Sequence, residues 1–306
     1  MSGSIHDNAA WADAQPRLSV LIPFKGDDPC ALLAALGQKP LPVEVVVLDD
    51  GTDDGSLTTR VQDVIEVLSL PARLVTLSAN EGRAKGRNRL VSHARAGHFL
   101  FLDSDMAPDS ADFLDRWLAL IAAENPAVAF GGFSLDQVEP RRDQALHRAM
   151  AAHADCLPAE VRRQQPEKHV FTSNLLVRRD VFEAEGFDEG FAGWGWEDVE
   201  WGMRVARRWP ITHIDNTATH LGLDPAPVIA AKYEQSAANF ARVVAAHRAV
   251  VETYPSYRAA RLLKRAPLRG LWRPLLKAYA LAEAAPLKSR AFAMRLYRAA
   301  LYAEAV

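Results

Sequence analysis

Two aspartates separated by a single serine close an apolar run at Phe99-Leu100-Phe101-Leu102-Asp103-Ser104-Asp105. Side chains at positions i and i+2 of an extended chain point the same way. Asp103 and Asp105 can therefore face one hard cation while Ser104 turns aside. Oxygen ligation of this kind suits Mg²⁺ or Mn²⁺ carrying a diphosphate. Asp and Ser also end strands without any ligand, and the triplet alone leaves both readings open.

Three further segments have chemical potential. In Asp49-Asp50-Gly51-Thr52-Asp53-Asp54-Gly55, a carboxylate can accept the imide N–H of uracil or hold ribose hydroxyls; a tight turn and a helix cap need the same residues. Asn80 to Asn88 carries Arg83, Lys85 and Arg87 at a helix start, where backbone N–H groups and cations favour a diphosphate. A solvated helix face is the alternative. Gly186 to Trp201 joins flexible glycines to Trp194, Trp196, Trp201, Glu197 and Asp198. Indole faces pack on sugar rings and carboxylates hold hydroxyls, so this segment suits an acceptor platform with a base. As a purely structural element it would be a helix start with core tryptophans. His220 comes after the carboxylate segment and could close a metal shell, tilting preference toward Mn²⁺. Other histidines, among them His6, His93, His147 and His247, read as surface or core residues.

The elements that must position these groups alternate through the first 135 residues. Apolar runs at Leu18–Pro23, Val43–Leu48, Arg73–Leu77, His98–Leu102 and Val128–Phe133 are separated by helical stretches, the pattern of a parallel sheet with crossover helices. Continuous apolarity in Val45–Leu48 and Phe99–Leu102 indicates strands covered on both faces. Ligands of such sheets bind beyond the carboxyl ends of the strands, which is where Pro23-Phe24-Lys25, the 49–55 segment and Asp103-Ser104-Asp105 lie. Pro140–Gln165 reads as helix, Val170–Val177 as strand, Ile211–Ile214 as a short strand and Val228–Thr253 as one long helix. Pro255, Pro267, Pro274 and Pro286 divide the rest of the chain into short helical pieces.

Composition agrees with a folded globular chain: 306 residues, 49% hydrophobic and 24% charged. No apolar run approaches the roughly 20 residues that cross a bilayer, and Asp7 and Asp13 stand where a signal peptide would be basic and then apolar. A cytoplasmic location is expected. Cys30 and Cys156 are too few for a disulfide framework and read as reduced thiols. The net charge of −2 conceals an asymmetry, with +9 from Pro255 onward and −11 before it. The basic residues are interleaved with Leu262, Leu263, Leu268, Leu271, Trp272, Leu275 and Leu276. That pattern fits either an amphipathic tail on anionic lipid at the inner membrane face or a helical cap packed on the acidic body.

Together the segments resemble the family 2 glycosyltransferases of the GT-A fold, with likeness to β-1,4-galactosyltransferases and chondroitin-polymerase-type domains. The resemblance spans roughly Leu18 to Gly222. Leu18–Lys25 matches the opening strand and nucleotide loop, Asp49–Thr52 the uridine turn, and Asn80–Asn88 the Asn-x-Gly-x-x-x-Ala-Arg-Asn pattern with Gly86 in place of Ala. Asp103-Ser104-Asp105 matches the Asp-x-Asp metal motif, Gly193–Asp198 the Gly-Trp-Gly-Gly-Glu-Asp loop with Trp196 in place of Gly, and His220 the histidine of the metal shell.

The resemblance implies an α/β fold with a mostly parallel central sheet flanked by helices. Residues 1–16 would form an N-terminal arm, 17–224 the GT-A domain and 225–306 a helical basic extension. It implies a metal-dependent, inverting transferase that moves a sugar from a nucleotide donor, UDP-linked by preference, to a hydroxyl of a glycan or lipid-linked acceptor, with no nucleic-acid partner. Asp198 would be the base, since retaining relatives carry Asn there, and Glu197 would hold an acceptor hydroxyl. Pro23, Phe24, Lys25, Asp49, Asp50, Arg83, Arg87 and Ser104 would bind the donor. Trp194, Trp196 and Asn174 would face the acceptor, and Asp103, Asp105 and His220 would hold Mn²⁺ or Mg²⁺. Trp196 beside the acids would narrow the acceptor entrance or stack on a sugar. Two other readings remain: a non-catalytic sugar-nucleotide or glycan-binding module, and a sugar-1-phosphate nucleotidyltransferase, for which the chain lacks a Gly-rich basic loop after its first strand.

Overall fold

The computed structural model describes residues 3–267 and 269–306, so Met1, Ser2 and Leu268 lie outside the described residues. The strands are β1 (Ser4–Asp7), β2 (Leu18–Phe24), β3 (Val43–Asp49), β4 (Ala72–Thr76), β5 (His98–Phe101), β6 (Met106–Pro108), β7 (Val128–Phe130), β8 (Phe133–Ser134), β9 (Leu175–Arg178), β10 (Ile211–His213) and β11 (Ala218–His220). The helices are α1 (Cys30–Leu36), α2 (Gly55–Glu66), α3 (Arg83–His93), α4 (Phe113–Glu124), α5 (Ala145–Ala154), α6 (Ala159–Arg162), α7 (Arg179–Ala184), α8 (Glu197–Val205), α9 (Ala226–Val251), α10 (Pro255–Lys264), α11 (Arg269–Leu281) and α12 (Leu287–Tyr302).

Eight strands form one sheet in the order β1-β4-β3-β2-β5-β9-β7-β10. Its centre, β4 to β5, is parallel, as the apolar runs and crossover helices require. β9 enters antiparallel between β5 and β7. The strand expected over 170–177 is confined to Leu175–Arg178; just before it, the Ser173 hydroxyl donates to Asp103 and the Asn174 amide to the Gly132 carbonyl, so these residues join loops and not the ladder. Alternation splits the strands between two cores. Val20, Ile22, Val45 and Val47 pack with α1, α2 and α4 on one face. Leu21, Val46, Leu48, Phe99 and Phe101 pack with α3, α7 and α8 on the other.

Residues 4–7 of the expected arm are a sheet strand. β1 pairs antiparallel with β4, and Asp7 meets Arg73 at 2.6 Å. Asn8 then turns inward. Its amide donates to the carbonyls of Ile65 (3.1 Å) and Leu70 (2.9 Å) and accepts from the Ala72 amide (3.0 Å).

A small second sheet, β6-β11-β8, lies at the carboxyl end of β5. The third core belongs to the helical region. α5, α9 and α12 bury Met150, Phe240, Val243, Met294, Tyr297 and Tyr302 together. The basic segment is therefore a packed cap over much of its length, although Leu262, Leu271 and Leu275 stay 71%, 64% and 66% exposed. Pro274 does not divide it as expected. It lies inside α11, and so near the helix start its missing N–H removes only the bond to the Gly270 carbonyl. Both cysteines are free and half-buried. Among the described residues no helix is long and apolar enough to cross a membrane.

Asn8→Ala leaves three buried backbone groups without a partner, each worth about 1 kcal/mol or more. Urea unfolding should show a loss of about 2–3 kcal/mol; an unchanged midpoint would mean that the 1–16 segment is dispensable to the fold.

Candidate functional site

The carboxyl ends of β2, β3 and β5 open into a cleft of about 570 Å³ whose far wall is built by α5, α8, α9 and α12. A second cavity, about 630 Å³, lies among Trp272, Arg273, Lys277 and Tyr297 and contains none of the carboxylates considered above. Asp103, Ser104 and Asp105 lie where β5 gives out into the loop before β6. The pairing of β6 with β11 sets His220 opposite Met106, one residue from Asp105. His220 Nε2 is 3.2 Å from Asp105 Oδ2 as a result. Gly222 passes so close that a Cβ there would collide with the Asp105 carboxylate.

Asp103 faces the other way. Its oxygens accept from Arg87 Nη2 (2.6 Å) and Ser173 Oγ (2.9 Å). Burial alone would raise this carboxyl, but Arg87 and Arg83 outweigh it and hold Asp103 down at about 2. Among the described residues no three His, Cys, Asp or Glu side chains converge as metal ligands, so the expected three-residue shell is not assembled. The arginine that compensates Asp103 is what draws it aside. The remaining pair does fit a hard divalent cation. Asp105 Oδ1 is buried without a hydrogen-bond partner, and the contact between Asp105 and His220 overcomes the opposing effect of burial to raise the imidazole. A cation would replace that proton.

Arg83 and Arg87 are one turn apart on α3, hence on one face, and both line the cleft. Gly86 keeps that face low, with an added Cβ coming 3.2 Å from Leu48. Arg83 Nε pairs with Glu197 Oε1 at 2.5 Å, and Arg87 Nη1 lies 3.7 Å from the same oxygen. Glu197 is only 2% exposed. The acceptor contact expected of it gives way to a buried ion pair. Its neighbour Asp198 lines the cleft with Asp103 and Asp105. One Asp198 oxygen accepts from the Val199 amide at 2.8 Å. Burial, and then the charge of Glu197, push the Asp198 carboxyl up to about 7.

Several expected donor and acceptor groups have other duties. Asp49 is buried, with its oxygens bonded to the Thr52 amide (2.8 Å) and Thr58 Oγ1 (2.5 Å), so it shapes the turn rather than meeting a ligand. Asp50 lines the cleft but also accepts from the amides of Glu81 (2.7 Å) and Gly82 (3.1 Å), joining two loops. Gly51, at φ +72°, lets those loops touch. Asn174 is fully buried. It donates to the carbonyls of Gly132 (2.9 Å) and Asn216 (2.8 Å) and does not reach the acceptor side. Pro23, Phe24 and Lys25 do line the cleft, as do Ser104, Trp194 and Trp196.

Trp196 has a left-handed backbone, φ +79°, which a bulky residue adopts only under constraint. Its ring packs 5.0 Å from Phe240, and its N–H donates to Tyr302 Oη at 2.9 Å. Below the loop, Asn239 of α9 donates to the carbonyls of Ala192 (3.0 Å) and Gly195 (2.8 Å). The indole is thus an anchor to the helical cap as well as a cleft wall. Residues outside the sequence expectations also reach the cleft: His147, which accepts from the Asp224 amide at 2.7 Å, and Asp155, Lys168, Tyr233, Arg295 and Arg298. Only the charge excess after Pro255 signalled the last two.

The sequence model of glycosyl transferase family 2 matches residues 28–186. That span includes the Asp-Ser-Asp triplet and ends before Asp198. Solved structures share the fold at 16% identity. A mannosyltransferase, PcManGT from Pyrobaculum calidifontis in complex with GDP-Man and Mn²⁺, superposes with a TM-score of 0.58 over 97% of this chain and 89% of its own. TarS of S. aureus in complex with UDP gives 0.54 at the same 16% identity, covering 94% and 90%; its complex with UDP-GlcNAc gives 0.50 over 92% and 89%. A comparison with curated proteins finds no match.

Glu197→Gln would leave two arginines facing a neutral amide in a buried site, a loss of about 3–5 kcal/mol. Denaturant unfolding should show that loss; full stability with only a raised acceptor KM would instead restore the acceptor role to Glu197.

Proposed function

The chain belongs to glycosyl transferase family 2 and is a glycosyltransferase of the GT-A fold, and from that premise we propose that it is an inverting, metal-dependent enzyme using a UDP-sugar, with Asp198 as its base. What supports the reading is a single placement: Asp198 lines the same cleft, about 570 Å³ in volume, as Asp103 and Asp105. A carboxyl raised to about 7 is a stronger base than an ordinary aspartate and still ionised for much of the time near neutrality. Asp198 takes the proton of an acceptor hydroxyl as that oxygen attacks the anomeric carbon, and the nucleoside diphosphate leaves from the opposite face. Configuration inverts in such a displacement.

Arg83 and Arg87 direct positive charge at the diphosphate, and Pro23, Phe24, Lys25, Asp50 and Ser104 form the nucleotide side. A divalent ion, Mn²⁺ or Mg²⁺, held by Asp105 and His220 with Asp103 contributing through water, would supply charge compensation for the leaving diphosphate. The neighbours in complex with UDP, UDP-GlcNAc, and GDP-Man with Mn²⁺ favour a nucleotide-sugar donor and a divalent metal. Trp194 and Trp196 border the acceptor side. The exposed Leu262, Leu271 and Leu275, in a segment that also carries Arg258, Arg261 and Lys264, suit peripheral contact with anionic lipid.

Release of UDP from a panel of UDP-sugars should require Mn²⁺ or Mg²⁺ and cease on chelation. Asp198→Asn should keep donor binding and lose about 10²–10⁴ in kcat. In the parent enzyme kcat/KM should rise with pH through about 7 and level off above it, because the active form is the deprotonated one. Normal turnover by Asp198→Asn would remove the base assignment. For the lipid contact, flotation should occur with phosphatidylglycerol vesicles but not neutral ones, and Leu271→Glu with Leu275→Glu should abolish it; flotation that survives both substitutions refutes the contact.

A further inference from the structure

The helical half of the cleft carries more positive charge than its ion pairs answer. Arg83 is paired with Glu197, Arg87 with Asp103 and Lys232 with Asp224 at 2.5–2.6 Å. Arg295 and Arg298 also line the cleft, yet among the described residues neither has a carboxylate at ion-pair distance. They are three residues apart on α12 and so share a face. Arg298 rests against Tyr233, 5.1 Å from the ring centre, and Tyr233 packs 6.1 Å from Trp194. Lys168 approaches the same half from the turn before β9, its ammonium beside Tyr254. Asp155 is the carboxylate on this wall. Burial pushes it up to about 6, so near neutrality it is mostly ionised and answers Arg298, which leaves Arg295 and Lys168 without a carboxylate among the described residues.

Neutral sugar hydroxyls do not require such an arrangement. Arg295 and Arg298 are half-buried at the cleft wall, and two guanidiniums offer several N–H groups in the geometry that phosphate oxygens take. Resting on the glycosyl-transfer reading of this cleft, we propose that Arg295 and Arg298, with Lys168, bind a phosphate group carried by the acceptor. That would place the acceptor hydroxyl beside Asp198 by holding a charged group further along the same molecule.

The test uses the full chain saturated with UDP and Mn²⁺, so that the donor half is filled, and titrates methyl phosphate and octyl phosphate by calorimetry. Both should bind, and Arg295→Gln should weaken them about tenfold or more while UDP affinity stays within about twofold. Arg295→Lys should lie between, and an unchanged thermal midpoint shows that the fold is intact. Tighter binding of octyl phosphate assigns the group to a lipid-linked acceptor, and equal affinities to a water-soluble one. Absence of phosphate binding, or binding indifferent to Arg295→Gln, overturns the proposal. If UDP itself fails to bind, the donor assignment falls, and the same titration without UDP still decides whether the arginines hold phosphate.

Discussion

Two arginines one turn apart tie the two acidic sides of the cleft to each other. Arg87 holds Asp103 at the end of β5, and Arg83 holds Glu197 at the start of α8. Arg87 and Glu197 are each withdrawn from water, where losing the partner is far more costly than at the surface. Because both arginines stand on α3, the sheet end that carries the Asp-Ser-Asp triplet and the helix that carries Asp198 are fixed relative to one helix face. The span between the two sides of the cleft is thereby set by the fold before any ligand arrives. The same pairs tune the acids in opposite senses. Cation charge keeps Asp103 ionised, whereas Asp198, beside an anion already compensated by Arg83, is left with burial and the Glu197 charge pushing it upward.

Local pattern made much of this legible. Apolar runs ending in polar triplets located the parallel strands and the edge where ligands gather, and the order of the motifs identified the family. What sequence could not settle was which of two adjacent acids turns inward. Asp49 ends β3 and points to the protein interior, while Asp50, one residue on, faces the opposite side and lines the cleft. Glu197 and Asp198 differ by one step of a helix, and only the position of α3 decides which of them meets the arginines. Asn174 is hidden for a similar reason, since its partners, the carbonyls of Gly132 and Asn216, come from distant segments. His220 was placed beside the triplet by a β6–β11 register that no local pattern reveals.

The helical region shows a different limit. An amphipathic basic segment announces that one face will be covered, but not by what. α12 turns its apolar face to α9 and α5, and this directs part of its basic face into the cleft. Residues 225–306 therefore complete the site rather than append to it.

Trp196 carries a consequence of its own. A left-handed backbone at an indole-bearing residue is held in place by Phe240 and Tyr302, which lie on α9 and α12. Where glycine would leave the loop free to sample many shapes, this chain fixes one in advance, and the entropy of ordering is lost during folding instead of at each encounter with substrate. The shape of this cleft wall is thereby coupled to the packing of α12. Heat that loosens α12 would release that wall while the central sheet still stood.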